Sequence, residues 1–287
     1  MSRIETSPPR ARPLRTWPVH FWLGLALMTA SWGLNWGLAG LRTHLLFFPL
    51  WLGLILTIDG LVLRRSGSSL LTRSRRDFIR LFFASAVVWW LFEALNLRLG
   101  NWIYLGVDQM SRLTYVLAST VAYSTVIPAV FEMAELIGTF RWTERFEDTR
   151  PLAVQPGFRY RLALVGLAMM ALLLIWPRWF FPLTWISLIF LLDPLAHRLG
   201  RPSLLGLLEE GQRRPLVLLA LGALACGFFW EMWNIHSYPK WIYDIPIFGY
   251  ARVFEMPLLG YLGYIPFGLE LYPMTHLLLN PPPAVKL

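Results

Sequence analysis

Two matching stretches of the chain place a glutamate inside a long apolar run. One reads "WLFEALNLRLGNWIY" at 90–104 and the other reads "FFWEMWNIHSYPKWIY" at 228–243. In each, the glutamate (Glu93 or Glu231) is followed three residues later by an asparagine and then by a Trp-Ile-Tyr segment. Residues three apart share one face of a helix. A protonated carboxylic acid among apolar side chains is a Brønsted acid, so the pattern predicts proton-transfer chemistry at both positions.

Three further glutamates are candidates for the same chemistry. Glu132 and Glu270 each lie four residues after the proline of an Ile-Pro pair, and Glu255 lies near the start of the last apolar stretch. An ionised acid at the centre of a membrane helix costs about 2.5–3.5 kcal/mol. These side chains are therefore expected to face a protein-lined interior, to share hydrogen bonds or to hold a proton. The candidate catalytic residues are Glu93, Glu231, Glu255, Glu270 and Glu132.

For two aspartates we favour a structural role. Asp59 and Asp193 lie near the ends of apolar runs and close to arginines. An acid in such a position can simply hold helices together through a hydrogen bond worth about 0.6–2 kcal/mol. The same structural interpretation stays open for Glu132 and Glu270.

Aromatic residues make up 15% of the chain and are dense beside the acids. Ring faces stabilise nearby cations, so an acid among aromatic rings is suited to protonating an alkene and sheltering the carbocation. The alternative is an aromatic belt at the membrane surface. The candidate substrate-binding residues are Asn96, Asn234, Trp90, Trp230, Trp102, Tyr104, Trp241, Tyr243 and Tyr261.

Metal and cofactor chemistry has no sequence signal. The five histidines are scattered without metal-binding spacing, and the single cysteine, Cys226, lies within an apolar run. We therefore predict no metal site, no disulfide framework and no cofactor.

The composition indicates what kind of fold holds these side chains. The chain is 56% hydrophobic and only 15% charged, with a mean hydropathy of +0.50, whereas soluble domains carry roughly a quarter charged residues. The apolar runs are near the twenty residues needed to cross a bilayer. The sequence therefore predicts an all-α fold, a polytopic membrane helical bundle with about eight transmembrane helices. The predicted spans are roughly 17–40, 43–63, 77–97, 113–140, 160–177, 180–197, 215–235 and 252–279.

The net charge of +9 reflects topology signals, and we predict no nucleic-acid partner. With the N-terminus in the cytoplasm, 20 of the 26 lysines and arginines fall on the cytoplasmic side and six on the other side. This bias predicts that both termini are cytoplasmic. We accordingly expect an integral membrane protein of the bacterial inner membrane, with the lipid bilayer as its first partner.

The two glutamate segments belong to a longer repeat. "FFPL" occurs at 47–50 and 180–183, and the glutamate and Ile-Pro pairs share an offset of 138 residues. Four spans per unit give two parallel four-helix repeats related by an axis along the membrane normal. The predicted organisation is a disordered cytoplasmic tail at 1–16, a first repeat at 17–140, a cytoplasmic linker at 141–159, a second repeat at 160–279 and a C-terminal tail at 280–287.

These motifs carry a family resemblance. Glu93 or Glu231, then Trp-Ile-Tyr, then the proline-plus-glutamate segments "FEMPL" at 254–258 and "IPFGLE" at 265–270 are similar to motifs of the integral-membrane lycopene cyclases and the related carotenoid hydratases. The resemblance covers roughly 43–140 and 180–279 as short motifs. The chain departs from that family in having no adjacent Glu-Glu pair in any predicted span.

The resemblance implies an isoprenoid or carotenoid ligand and acid-catalysed protonation of a terminal polyene double bond. Glu93 and Glu231 would take the place of the first acid, and Glu255 or Glu270 that of the proline-linked acid.

Three functions stay open at this point. The first is a non-redox cyclase or hydratase acting on a polyene end group. The second is a non-catalytic subunit that binds pigment or lipid in a larger membrane complex, with a membrane-protein partner or a second copy of the chain. The third is a proton-coupled transporter, because parallel repeats with buried acids also suit that role.

Overall fold

The computed structural model describes residues 16–245 and 251–287, and in these ranges the chain is mostly helical. The first half contains α1 (Val19–Gly37), α2 (Thr43–Ser66), α3 (Leu70–Arg73), α4 (Arg75–Leu99), β1 (Trp102–Leu105), α5 (Arg112–Tyr123) and α6 (Val126–Gly138). The second half contains α7 (Pro156–Ile175), α8 (Pro177–Phe180), α9 (Thr184–Arg198), α10 (Leu204–Glu209), α11 (Arg214–Asn234), β2 (Lys240–Tyr243), β3 (Arg252–Val253), β4 (Met256–Pro257) and α12 (Tyr264–Leu278). Short 3₁₀ turns span Val107–Gln109, Arg141–Phe146, Phe181–Leu183 and Leu258–Gly263.

Six helical segments of the described chain are long and apolar enough to cross a membrane. They are Thr43–Ser66, Arg75–Leu99, Arg112–Gly138, Gly157–Ile175, Pro177–Arg198 and Arg214–Asn234. Their length and composition confirm the prediction of a helical membrane protein. The other two predicted spans, 17–40 and 252–279, contain α1 and α12, which are not among the six.

Two predicted spans are interrupted. Within 113–140 the helix breaks between α5 and α6, because Pro128 has no N–H to continue the ladder from Ser124. Ser85 of α4 compensates: its hydroxyl donates to the Tyr123 carbonyl at 2.6 Å and accepts from the Ile127 N–H at 3.0 Å. The break is therefore stabilised by a neighbouring helix.

The predicted span 252–279 becomes an α-helix only at Tyr264. Before it, β3 and β4 form a small antiparallel hairpin, and the 3₁₀ turn Leu258–Gly263 follows. This hairpin and the β1–β2 pair described below are strands that an all-α prediction does not include.

The core of the bundle lies around α6. Every residue from Val126 to Glu135 is buried, and α6 packs against α2, α4 and α11. A Cβ at Gly222 of α11 would lie 2.9 Å from the Val130 carbonyl oxygen, so this glycine allows the two helices to touch through their backbones. In the second half α12 packs against α9 and α11, while α1 and α7 lie outside, against α2 and α9.

We call the end of the bundle that carries β1 and β2 the strand end, and the end that carries α3, α10 and residues 280–287 the loop end. At the loop end the C-terminal segment crosses from the second half to the first. Arg73 donates through Nε to the Ala284 carbonyl at 2.9 Å, and the Ala284 N–H donates to Asp77 Oδ2 at 3.2 Å. The Lys286 N–H donates to Glu135 Oε1 at 2.8 Å. Three elements of the first half thus hold the last residues of the second.

Asp193 holds the start of α10 at the loop end. Its Oδ1 accepts from the Leu204 N–H at 2.5 Å and its Oδ2 from the Leu205 N–H at 3.0 Å. The hydroxyl of Ser203, the N-cap residue, accepts from the Gly206 N–H at 3.0 Å. The first three N–H groups of α10, which have no partner within the helix, are therefore all satisfied.

Asp59 makes matching contacts at α3. The Ser69 hydroxyl donates to its Oδ1 at 2.7 Å and the Leu71 N–H donates to its Oδ2 at 2.9 Å. Each aspartate lies ten residues before the serine at the start of its short helix. These contacts are those of the structural role that the sequence favours for both.

Candidate functional site

The two Trp-Ile-Tyr segments lie side by side. β1 and β2 pair antiparallel, with Trp102 opposite Tyr243, Ile103 opposite Ile242 and Tyr104 opposite Trp241. Segments 139 residues apart in the chain therefore meet at one place at the strand end. Because the two segments run antiparallel, the tryptophan of each lies opposite the tyrosine of the other, and the two isoleucines lie opposite each other.

Asn96 and Asn234 fix the two strands to the ends of their helices. The Asn96 Oδ1 accepts from the Asn101 N–H at 2.9 Å, and its Nδ2 donates to the Trp102 carbonyl at 2.8 Å. The Asn234 Oδ1 accepts from the Trp241 N–H at 3.0 Å, and its Nδ2 donates to the Trp241 carbonyl at 2.7 Å. Both asparagines therefore bind backbone, and their amides are occupied in holding the strands.

Glu93 lies at the base of β1 and is nearly buried. Its Oε1 accepts three hydrogen bonds: from Trp89 Nε1 at 3.0 Å, from Trp102 Nε1 at 3.1 Å and from the Tyr104 hydroxyl at 2.6 Å. Tyr104 in turn lies 3.4 Å from the hydroxyl of Tyr123, which donates to it. One carboxyl oxygen thus organises three aromatic side chains.

Glu231 lies at the base of β2 and is fully buried. Its Oε1 accepts from the Tyr243 hydroxyl at 2.7 Å and from the Tyr264 hydroxyl at 2.8 Å. Its Oε2 is buried and meets no hydrogen-bond donor among the described residues. Trp241 Nε1 donates to the Tyr243 hydroxyl at 3.0 Å, which extends the network back to β2.

The tyrosines on the two strands stay protonated. Burial, and after it the charge of the neighbouring glutamate, raises the pKa of Tyr104 and of Tyr243 well above that of an ordinary phenol. Each hydroxyl therefore keeps its hydrogen at neutral pH and donates a hydrogen bond to a carboxyl group.

A cavity of about 520 Å³ opens beside the strands, between the two halves. Its size is that of a site for a small organic molecule, or for one end of a longer one. Its wall is mostly apolar and aromatic. The main rings are those of Trp89, Trp102, Trp185, Trp230, Trp241 and Phe267. Tyr104 and Tyr243 also line the cavity, whereas Glu93 and Glu231 lie behind them, one hydrogen bond away.

The rings of the wall pack in pairs. Trp102 stacks on Trp185 with centroids 6.2 Å apart, and Trp230 stacks on Tyr264 at 5.9 Å. Phe267 meets Trp185 edge to face at 5.5 Å. Such arrangements fix the ring faces, and fixed ring faces can stabilise a positive charge in the cavity.

The other candidate residues lie elsewhere. Trp90 donates through Nε1 to Thr120 Oγ1 at 3.0 Å, on the side of α5, and the Tyr261 hydroxyl donates to the Val253 carbonyl at 3.1 Å. Neither lines the cavity.

Glu255 forms an ion pair with Lys240, whose side chain lines the cavity. Lys240 also donates to the Ile235 carbonyl at 3.4 Å.

Glu132 and Glu270 lie in the helix core and not at the cavity. Both are fully buried on α6 and α12, and their carboxyl oxygens meet no hydrogen-bond donor in the part of the chain that the structure describes. The five candidate glutamates therefore occupy separate places: two behind the cavity wall, one in an ion pair and two in the core.

Spacing alone did not indicate four of the residues at the site, Trp89, Trp185, Tyr264 and Phe267. Trp89 carries a usable signal, since it lies four residues before Glu93 on the same helix face. The other three come from α9 and α12, and only the fold brings them to the cavity.

Across residues 16–245 and 251–287, no group of three or more histidine, cysteine, aspartate or glutamate side chains is arranged to hold a metal ion. Comparisons of the chain with protein-family models, with curated proteins and with solved structures find no match.

Proposed function

We propose that the protein binds the end group of an isoprenoid or carotenoid-like lipid in the cavity and protonates one of its double bonds, as a non-redox cyclase or hydratase would. The observation that carries this proposal is the pair of buried glutamates behind an apolar cavity, each hydrogen-bonded to a tyrosine that lines it. The motif resemblance to lycopene cyclases and carotenoid hydratases agrees with it.

The proposal includes eight spans in two parallel repeats, with α1 and α12 as the additional spans. Matching contacts in the two halves support the repeat. Asp59 and Asp193 bind the starts of short helices at the loop end, and Asn96 and Asn234 bind the strands. The positive-inside bias supports cytoplasmic termini, with the bacterial inner membrane as the location.

The wall of the cavity supports an apolar ligand. Aromatic and aliphatic side chains dominate it, so an apolar group gains from burial there by about 25 cal/mol per Å². The cavity volume of about 520 Å³ suits one end of a long polyene, with the rest of the chain outside.

The chemistry needs no oxidant and no cofactor. A proton is added to the terminal alkene carbon, whose π electrons form the new C–H bond and leave a carbocation on the neighbouring carbon. A second alkene can then supply its π electrons to close a ring, after which a carboxylate removes a proton and restores a double bond. Alternatively, water adds to the cation and gives its excess proton to the carboxylate. The first route isomerises the lipid and the second adds one water, and aromatic faces stabilise the cation in both.

The phenols are placed to deliver the proton. When a glutamate is in its acid form, its hydrogen bond to the tyrosine runs in the opposite direction. The phenol hydrogen is then free to point into the cavity. Tyr104 and Tyr243 are the candidate proximal donors, and the proton source is a glutamate behind them, either Glu93 or Glu231.

The test is expression in bacteria that make lycopene, followed by chromatography and mass spectrometry of the pigments. A cyclic product has the mass of lycopene, and a hydrated product is heavier by one water. In the double variant Tyr104→Phe, Tyr243→Phe, product formation should fall by roughly 100-fold or more. Tyr160→Phe, on the exposed outer face of α7, is the matched control and should leave it unchanged. Unaltered pigments, with no pigment or lipid bound to the purified protein, would contradict the proposal.

A second function, binding without conversion, is favoured by one observation: neither glutamate lines the cavity itself. In that case the purified protein retains the lipid chemically unchanged, and the double tyrosine variant retains it as well as the wild type does. Product analysis and bound-lipid analysis on the same preparation separate the two functions.

A further inference from the structure

The two buried glutamates are held differently, although their strands pair. Three donors converge on one oxygen of Glu93, and two of them are indole N–H groups. Glu231 receives two phenols on one oxygen, and its other oxygen is buried without a donor among the described residues. The second phenol, from Tyr264, belongs to α12; 138 residues earlier, the offset of the repeat, the chain has Val126.

We propose that the two acids have different roles: Glu231 is the acid that carries the transferred proton, and Glu93 is a positioning residue that fixes the aromatic wall. This inference rests on the proposed function. It assigns the reacting end of the cavity to the side of Glu231, Tyr243 and Tyr264.

The first argument comes from the donors. Indole N–H groups can only donate, so the two tryptophans on Glu93 require an acceptor and cannot relay a proton to a ligand. Phenols both donate and accept, so both partners of Glu231 can pass a proton on.

The second argument comes from Glu231 Oε2, the buried oxygen that has no hydrogen-bond donor among the described residues. A buried carboxylate oxygen without a donor costs the desolvation of its charge. This cost disappears when the oxygen holds a proton, because the carboxyl group is then neutral. The groups that face Glu231 leave it free to do so. They are the two phenols, the indole of Trp241, whose N–H donates to the Tyr243 hydroxyl, and, further away, Glu255, whose charge is matched by Lys240.

The transfer balances along this path. The Glu231 proton moves to a phenol oxygen as that phenol's own proton moves to the alkene carbon. A C–H bond forms, the alkene π bond breaks, and Glu231 becomes the carboxylate. The proton lost when the product forms returns by the same path, so no net proton is consumed in cyclisation.

The test uses matched variants at the two positions. Glutamine keeps a carbonyl oxygen that can accept the same donors but cannot carry the transferred proton, whereas leucine removes both properties. Glu93→Gln should therefore retain product formation within about threefold of wild type, while Glu93→Leu should lose it. Glu231→Gln and Glu231→Leu should both lose it by roughly 100-fold or more. Rescue by glutamine at one position and not at the other is the expected result.

A second measurement does not depend on the ligand. Infrared difference spectra in H₂O and D₂O, wild type minus variant, report the C=O stretch of a protonated carboxyl group. We expect a band lost in Glu231→Gln and no band lost in Glu93→Gln. If the Glu231→Gln protein does not accumulate in cells, the Tyr264→Phe variant is measured in its place, and it should shift the carboxylic acid band of Glu231.

The outcomes separate the two proposals. Equal loss of activity in both glutamine variants, or a carboxylic acid band lost at Glu93, would overturn the division of roles while the proposed function stands. Pigments unaltered by the wild type would remove the proposed function, while the infrared result would still decide which glutamate holds the proton.

Discussion

Replacing Asp193 with alanine should destabilise the protein strongly without touching the cavity. Asp193 is 3% exposed and accepts the N–H groups of Leu204 and Leu205 at the start of α10. Each hydrogen bond to a charged group contributes about 1.5–3 kcal/mol, and water cannot replace the carboxylate at a buried site. We therefore expect the free energy of unfolding to fall by roughly 3–6 kcal/mol. Asp193→Asn keeps one acceptor and should lose about half as much.

The assay is titration of the detergent-solubilised protein with sodium dodecyl sulfate, followed by tryptophan fluorescence. Asp108→Ala is the matched control, because Asp108 is an exposed aspartate in a 3₁₀ turn at the strand end. The control should unfold at the wild-type midpoint. If Asp193→Ala also unfolds at that midpoint, the structural role assigned to Asp193 is wrong.

Two further predictions concern packing and the cavity. Gly222→Ala adds a methyl group 2.9 Å from a carbonyl oxygen of α6 and should lower the free energy of unfolding by about 1–3 kcal/mol. Gly33→Ala is the control and should leave the free energy of unfolding unchanged, because the space around Gly33 is open. The two variants are compared by unfolding in detergent. Ala118→Trp places a large ring in the cavity and should reduce the co-purified lipid roughly tenfold or more, equivalent to about 1.4 kcal/mol, as measured by mass spectrometry. Leu117→Trp, on the exposed side of α5, should retain the lipid, and equal retention by both variants would argue against binding in this cavity.

Composition and the lengths of the apolar runs were enough to predict a helical membrane protein. Both are local properties, and each apolar run of about twenty residues specifies its own helix. The spacing of Glu93 and Asn96 likewise placed both side chains on one helix face, and the structure has both of them contacting the β1 segment. Spacing along the sequence shows which side chains share a helix face, but it does not show which other helix or strand that face contacts.

The parts that sequence reasoning did not predict depend on non-local contacts or unusual backbone. The residues of β1 pair with residues 135–141 positions further along the chain, and no local pattern encodes that pairing. The hairpin of β3 and β4 turns at Phe254, which has a φ of 57°. Glycine or asparagine is expected at such a position, so a phenylalanine gives no turn signal. The separation of Glu132 and Glu270 from the cavity likewise depends on how α6 and α12 pack.

The two halves are joined at both ends of the bundle, and this limits how the protein can move. At the strand end the backbone ladder of β1 and β2 crosses between the halves, and at the loop end the C-terminal segment is bonded to α3, α4 and α6. Rigid-body rocking of one half against the other would have to break one of these connections in each cycle. The architecture therefore favours a fixed chamber, whose surrounding helices stay in place.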